Sequence, residues 1–274
     1  MGLWQEDFPA AGNSATPRMG AIEIGIALGL INLLFASFVG VQIRYLFGGA
    51  SLVQVTPNLT YAEYARQGFG QLAAASLFVL PMLLLFDWLT DRECRAARRT
   101  FQVMAVVLIA LLGVVMASAW HRLLLYQQAY GLTELRVYAA ASLVWLGLTL
   151  LWFLATVLPG RRERFSFGAT MLLVMVVFGL HLLNPDALIA RVNLTRALQN
   201  KPLDVAYLTS LSADSLPVIL EQLPRLPQSE QEIIRERLRE HAVRTARGDW
   251  RNWNWSRAAG KQLLTRLLDA RTRH

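Results

Sequence analysis

The sequence predicts an all-α protein, a polytopic bundle of about five transmembrane helices followed by a C-terminal helical domain outside the membrane. Three observations carry that prediction. Of 274 residues, 54% are apolar and only 17% are charged, against about 25% charged in soluble domains. The apolar residues are gathered into five runs, each long enough or nearly so to cross a bilayer core, for which a helix needs about 20 residues. Arginines cluster in the short connections between runs, and residues 186–274 return to an ordinary soluble composition. The chain therefore divides into a polar tail (1–18), a helix bundle (19–185) and a basic helical extramembrane domain (186–274).

The tail does not read as a secretory signal. It carries Glu6 and Asp7 against the single cation Arg18, and the apolar run behind it exceeds the roughly 7–15 residues of a signal core. Glu6 stands where N-myristoylation requires Ser or Thr. No cleavage or acylation is expected here.

The first predicted span is Ala21–Phe47; the others cover residues 69–89, 101–126, 137–158 and 167–183. Small residues recur within them, as at Gly25 and Gly29 or from Ala73 to Ser76. Such residues let helices approach closely where lipid supplies no hydrophobic drive between them. Lys and Arg excess marks cytoplasmic connections. The 90–100 connection holds Arg92, Arg95, Arg98 and Arg99 against Asp91 and Glu93, and the next basic one holds Arg161, Arg162 and Arg164 against Glu163. The intervening connection has one Arg136 beside Glu134. This predicts that the N-terminus lies inside and everything after the fifth span outside. Trp88, Trp120, Tyr126, Tyr130, Tyr138 and Trp152 fall near span ends, where amphipathic rings anchor at the interface.

Beyond the bundle, Pro185 blocks simple continuation of the fifth helix. Leu188, Val192, Leu194 and Leu198 fit one face of a helix from residue 186 to 200, with Arg191, Asn193 and Arg196 on other sides. Asp204 is placed to cap a short helix running to Leu211, and Ser212 to cap the next, which Pro217 interrupts. Ser229, with Glu232 three residues on, forms a capping box for a charged helix over residues 230–246. Gly248 is expected to stop it, and a last helix covers residues 257–270.

The polar constellations are few. Among the four histidines (His121, His181, His241 and His274) there is no metal-ligand spacing, and Cys94 is the only cysteine, so neither a metal site nor a disulfide is predicted. His121 and His181 lie near the outer ends of the third and fifth spans, where they read as interface residues. Asn32 is the one strongly polar residue near the middle of the first span. It reads first as an interhelical hydrogen bond and second as a transport site. The lack of mid-span carboxylates argues against a proton- or sodium-coupled transporter. Two segments on the predicted outer side combine aromatic and charged residues: Tyr61, Glu63, Tyr64 and Arg66 in one, Tyr130, Glu134 and Arg136 in the other. Together with His121 they form the candidate outer-mouth polar cluster. Thr60 and Glu63 make a further capping box.

Nucleotide and nucleophile motifs are missing from the sequence. The sequons at Asn58, Asn193 and Asn254 are short enough to arise by chance. The +8 charge does not imply nucleic acid, because the cations sit beside apolar runs, where they set topology or meet anionic lipid. Trp250, Trp253 and Trp255 among arginines are read as interfacial packing. No cofactor is expected; the expected partners are the bilayer and a second membrane protein or a second copy of the chain.

Several segments in order resemble an uncharacterised bacterial membrane-protein group, the domain of unknown function 4173 and its relative 4153. They are Tyr61-Ala62-Glu63-Tyr64-Ala65-Arg66-Gln67-Gly68-Phe69 and Ala129-Tyr130-Gly131-Leu132-Thr133-Glu134-Leu135-Arg136, then Asn193, residues 204–211 with Asp214 and Pro217, and Asp249-Trp250-Arg251 leading to Trp253-Asn254. The resemblance runs from about residue 40 to the end. It implies correspondence to the C-terminal half of longer members, so that a fragment, a truncated paralogue or a split gene all fit. It also implies a bacterial inner-membrane location, and it contributes no activity. The leading functional expectation is a non-enzymatic envelope scaffold or sensory partner. The alternatives are a transport or channel component and, third, an envelope enzyme acting on a lipid-linked substrate.

Overall fold

In the computed structural model, the described residues are 18–47, 74, 77–91 and 93–246. Nine α-helices are seen among them: α1 Ala21–Phe47, α2 Leu77–Leu89, α3 Arg95–Tyr130, α4 Glu134–Thr156 and α5 Glu163–Leu183 form the apolar part. Then follow α6 Pro185–Ala197, α7 Val205–Ser210, α8 Leu216–Gln222 and α9 Gln228–Ala246, with two short 3-10 turns at Ala213–Ser215 and Leu223–Arg225. The all-α prediction holds. Four helices (α1, α3, α4 and α5) are long and apolar enough to cross a membrane. Of the predicted 69–89 span, the described part includes α2, and what precedes Ala74 lies outside the described residues.

The predicted spans mark the apolar stretches, whereas the helices run further. α3 has 36 residues, about 54 Å at 1.5 Å per residue, against a hydrocarbon core of about 30 Å. It takes in Arg95, Arg98 and Arg99, predicted as loop, at one end and Tyr126 and Tyr130 at the other. Helical hydrogen bonding continues past the apolar run because these flanking residues are good helix formers with no Gly or Pro among them.

The chain folds into two compact units, residues 1–119 with 146–169 and residues 120–145 with 170–274. In the first, buried residues follow heptad-like seams. α1 buries Ile24, Leu28 and Asn32; α3 buries Phe101, Ala105, Leu108, Leu112, Val115 and Ala119; α4 buries Leu146, Leu150 and Phe153, with Val157 buried just past its end. On α3 the spacings alternate between four and three residues, as in knobs-into-holes packing. Asn32 takes a seam position, and its Nδ2 donates to the Met104 carbonyl at 3.1 Å, the interhelical hydrogen bond expected of it. Its Oδ1 is buried without a hydrogen-bond partner.

One end of this unit gathers three segments distant in sequence. Met19 N donates to Leu89 O at 2.8 Å and Asp91 N to Met19 O at 3.2 Å, joining the entry of α1 to the exit of α2. Arg18 pairs with Asp91 and Glu93 at 3.6 and 3.5 Å. The α4–α5 turn lies on the first turns of α3, with Arg98 Nη2 donating to Pro159 O at 3.1 Å and Gln102 Nε2 to Leu158 O at 2.7 Å. That turn is a Schellman motif: Arg161 N donates to Thr156 O and Gly160 N to Val157 O, with Gly160 at φ 91°, the left-handed position that favours glycine.

The second unit has its own core, built from Leu132 and Val137 at the α3–α4 turn with Ile189, Ala190 and Leu194 of α6, Leu208, Leu211, Val218, Ile219 and Leu223, and Ile234 and Leu238 of α9. The buried face of α6 is thus Ile189, Ala190 and Leu194; of the predicted Leu188, Val192, Leu194 and Leu198, Leu194 is in the core, Leu188 and Val192 are partly buried beside it, and Leu198 is exposed. Asn184, at φ 47°, breaks α5 from α6 and accepts a hydrogen bond from Ala187 N, with Pro185 in the first turn. Asp204 caps α7 as expected, accepting from Tyr207 N. The other two cap predictions fail. Ser212 makes no side-chain cap, and Pro217 lies in the first turn of α8 instead of interrupting a helix, a position where its missing N–H is harmless. α9 starts at Gln228, ahead of Ser229, because the Pro227 carbonyl already accepts from Gln231 N at 3.1 Å. Gly248, the tryptophan segment and the predicted last helix lie outside the described residues.

Candidate functional site

Of the four described members of the predicted polar cluster, Tyr130, Glu134 and Arg136 lie where α3 turns into α4, and that turn is held from several directions. α3 ends because Gly131 adopts φ 82°, with Gly131 N donating to Gln127 O at 2.8 Å, the αL termination. A helix end leaves carbonyls unsatisfied and a partial negative charge. Arg196 of α6 answers both needs, its Nη2 donating to Gln128 O at 3.2 Å and Ala129 O at 2.9 Å. Arg136 reaches back from α4 to donate to the Gly131 carbonyl.

The next residue, Leu132, buries its side chain in the core of the second unit, which removes its backbone from water. Asn193 supplies both partners: Oδ1 accepts from Leu132 N and Nδ2 donates to Leu132 O, each at 2.8 Å. A side-chain amide here pairs with a peptide as another peptide would. At the start of α4, the free amide of Glu134 donates to the Tyr207 hydroxyl at 2.9 Å. Asp186 accepts from Ser212 N at 3.2 Å on the same face of the unit. Tyr126 and Tyr130 have ring centroids 4.9 Å apart, and the Arg136 guanidinium lies 4.2 Å over the Tyr126 ring, a cation–π contact.

The structure therefore brings Tyr130 and Arg136 into one constellation with Asn193, Arg196 and Tyr207, and Glu134 joins it through its backbone. His121 does not belong. It is exposed on α3 nine residues before Tyr130, about 14 Å along the axis. His181 is likewise exposed, and the described residues hold no cluster of three or more His, Cys, Asp or Glu able to bind a metal. Tyr61, Glu63, Tyr64 and Arg66 lie outside the described residues, as does the side chain of His241. Sequence reasoning missed Arg196 and Tyr207 as members. The available signal was Arg196 three residues after Asn193, on one face of a helix. The same geometry disposes of the sequon at Asn193, whose amide nitrogen is engaged by Leu132.

Two outcomes follow. Asn193→Leu strands a donor and an acceptor of Leu132, each worth about 1–3 kcal/mol when buried unpaired, and is expected to destabilise the second unit by about 2–4 kcal/mol. Asn193→Asp keeps the acceptor but points a carboxylate at the Leu132 carbonyl, and should also destabilise. Chemical unfolding in detergent followed by circular dichroism reads both, and unchanged midpoints would contradict the pairing. Tyr207 gives a pH dependence. Burial, then the charges of Glu134 and Asp186, push its phenol above the ordinary value of 10.0, against lowering by the Glu134 amide and Arg136. A raised folded value leaves stability intact below about pH 10 and lost as pH rises toward the folded value. Alkaline titration of phenolate absorbance should show a late-ionising tyrosine that Tyr207→Phe removes, and the variant should lose part of the alkaline destabilisation.

These residues organise a turn and its packing; the geometry contains no nucleophile–base pair and no convergence of free carboxylates among the described residues. The comparisons with known proteins name no activity. A family model described as Domain of unknown function (DUF4153) matches residues 5–222, so the match is to the relative of group 4173, begins well before residue 40 and ends with α8. No curated protein and no solved structure matches the chain. The match takes in the whole constellation from Tyr126 to Tyr207 and about four-fifths of the sequence, and the chain belongs to the family defined by the domain of unknown function DUF4153.

Proposed function

We propose that this multi-pass membrane protein is a non-enzymatic scaffold or sensory partner of the bacterial cytoplasmic membrane. Its N-terminus is cytoplasmic, and residues 186–274 form a polar helical region outside, where a second protein engages it. One observation carries this reading: the polar groups of the α3–α4 turn are engaged by the protein's own backbone, Asn193 with Leu132 and Arg196 with Gln128 and Ala129. They rigidify a platform and leave little to act on a substrate. The test is purification of the full chain in mild detergent, with crosslinking in intact cells beforehand; a stoichiometric protein partner that contacts residues 186–274 supports it. Recovery of the chain alone, with solute flux after reconstitution, would overturn it. Orientation is checked at Cys94, a free thiol between α2 and α3. A membrane-impermeant maleimide should label it in inverted vesicles and not in intact cells.

A transport role is the second reading, favoured by the buried, unpartnered Oδ1 of Asn32. Asn32→Leu distinguishes the two, since a scaffold keeps its partner and a transporter loses flux.

A further inference from the structure

The arginine-rich end of the first unit does more than mark a side of the membrane. Arg98 and Arg99 follow Arg95 by three and four residues in the first turns of α3, and each therefore neighbours Arg95 on the helix surface. The 157–162 turn rests on that same stretch through Arg98 and Gln102, which places Arg161 and the start of α5 beside it. Carboxylates neutralise only part of this charge. Asp91 and Glu93 face Arg18, and Asp87 lies 4.0 Å from Arg162; Glu163 and Glu23, in the first turn of α1, are the other acids of this end among the described residues. Arg98 is bonded to a neutral carbonyl, and Arg95, Arg99, Arg161 and Arg164 are exposed with no ion pair among the described residues.

Below two of these cations comes an exposed apolar side chain. Val103 follows Arg99 by four residues on α3 and Phe167 follows Arg164 by three on α5, with exposures of 50% and 70%. Two separate helices thus repeat one vertical order, guanidinium above and greasy side chain one turn deeper. That order is complementary to a phospholipid with its phosphate above and acyl chains beneath. Guanidinium groups bind phosphate oxygens through paired hydrogen bonds.

From this we infer that Arg95, Arg99, Arg161 and Arg164 form a binding surface for anionic phospholipid headgroups, with the lipid chains lying along the exposed faces of α3 and α5. The binding needs only that this end meets a headgroup layer, and so does not depend on which side of the membrane it faces or on the scaffold reading.

The test is native mass spectrometry of the full chain in mild detergent supplied with equal phosphatidylglycerol and phosphatidylcholine. The wild type is expected to retain phosphatidylglycerol in about tenfold preference, and the quadruple change of these four arginines to glutamine to reduce it to about twofold or less. A control with the same loss of charge elsewhere, Arg191→Gln, Lys201→Gln, Arg225→Gln and Arg237→Gln, should keep the preference. Equal retention of both lipids by the wild type, or equal loss in the two quadruple variants, overturns the proposal. Should the first variant aggregate, the pairs Arg95→Gln with Arg99→Gln and Arg161→Gln with Arg164→Gln serve instead. Full preference in both pairs would equally overturn it.

Discussion

Gly131→Ala is expected to destabilise the protein by about 2–4 kcal/mol, although alanine is the better helix former. Two effects add. At φ 82° a side chain meets the steric penalty of the left-handed region, about 1–2 kcal/mol. A Cβ at this position also falls onto the Arg196 guanidinium and the Asn193 Oδ1. The guanidinium would have to retreat from the carbonyls of Gln128 and Ala129, and Asn193 Oδ1 from the Leu132 amide it accepts from. Gly113→Ala is the matched control: it lies within α3, and a Cβ there meets nothing within 4 Å. The control should be neutral or mildly stabilising. Thermal unfolding in detergent, followed by circular dichroism, compares the two. Equal behaviour would mean that the turn is not built as described.

Gly168→Val in α5 is expected to have an effect of similar size by a different route. A Cβ at 168 would lie inside the indole of Trp152 from α4, so the helices must separate or the ring must turn. Overpacking of this kind costs about 1–3 kcal/mol, and here it removes the close approach that a small residue permits in lipid. The neighbouring edge-on contact of Phe153 with Phe165, 5.8 Å between centroids, would loosen with it. Trp152→Leu should partly rescue Gly168→Val, because contacting residues are not additive. A double-mutant cycle showing simple additivity would sink the account.

Composition, run length and arginine placement were enough to predict an all-α membrane protein, because lipid forces every spanning backbone group into helical hydrogen bonds. Caps at Asp204 and the break at Pro185 were legible for the same local reason. Which face of each helix is buried was not. In soluble proteins the polar face reveals the buried one, but a lipid-exposed face is as apolar as the seam. The Phe101–Ala119 stripe is therefore hidden in its own sequence, and Asn32 stands out only as the polar member of such a seam. On α6 the predicted face was right at Leu194 and off by part of a turn elsewhere, where Leu188 and Val192 are only partly buried beside the core.

The candidate site divides along the same line. Tyr130, Glu134 and Arg136 drew notice as charge and aromaticity at a span end, whereas Arg196 and Tyr207 looked like ordinary solvated residues. Their roles arise from contacts sixty or more residues apart in sequence, which no local pattern encodes.

What the sequence alone determined is the solvent of each segment, its helicity and the places where the chain must stop or turn, all set by backbone chemistry over a few residues. Only the tertiary structure decided which surfaces face one another. It placed Gly131 under Arg196 and Asn193, and it set the Gly160 turn on Arg98. Those choices depend on packing between distant helices, where shape and the satisfaction of buried backbone groups, not hydropathy, select the partner.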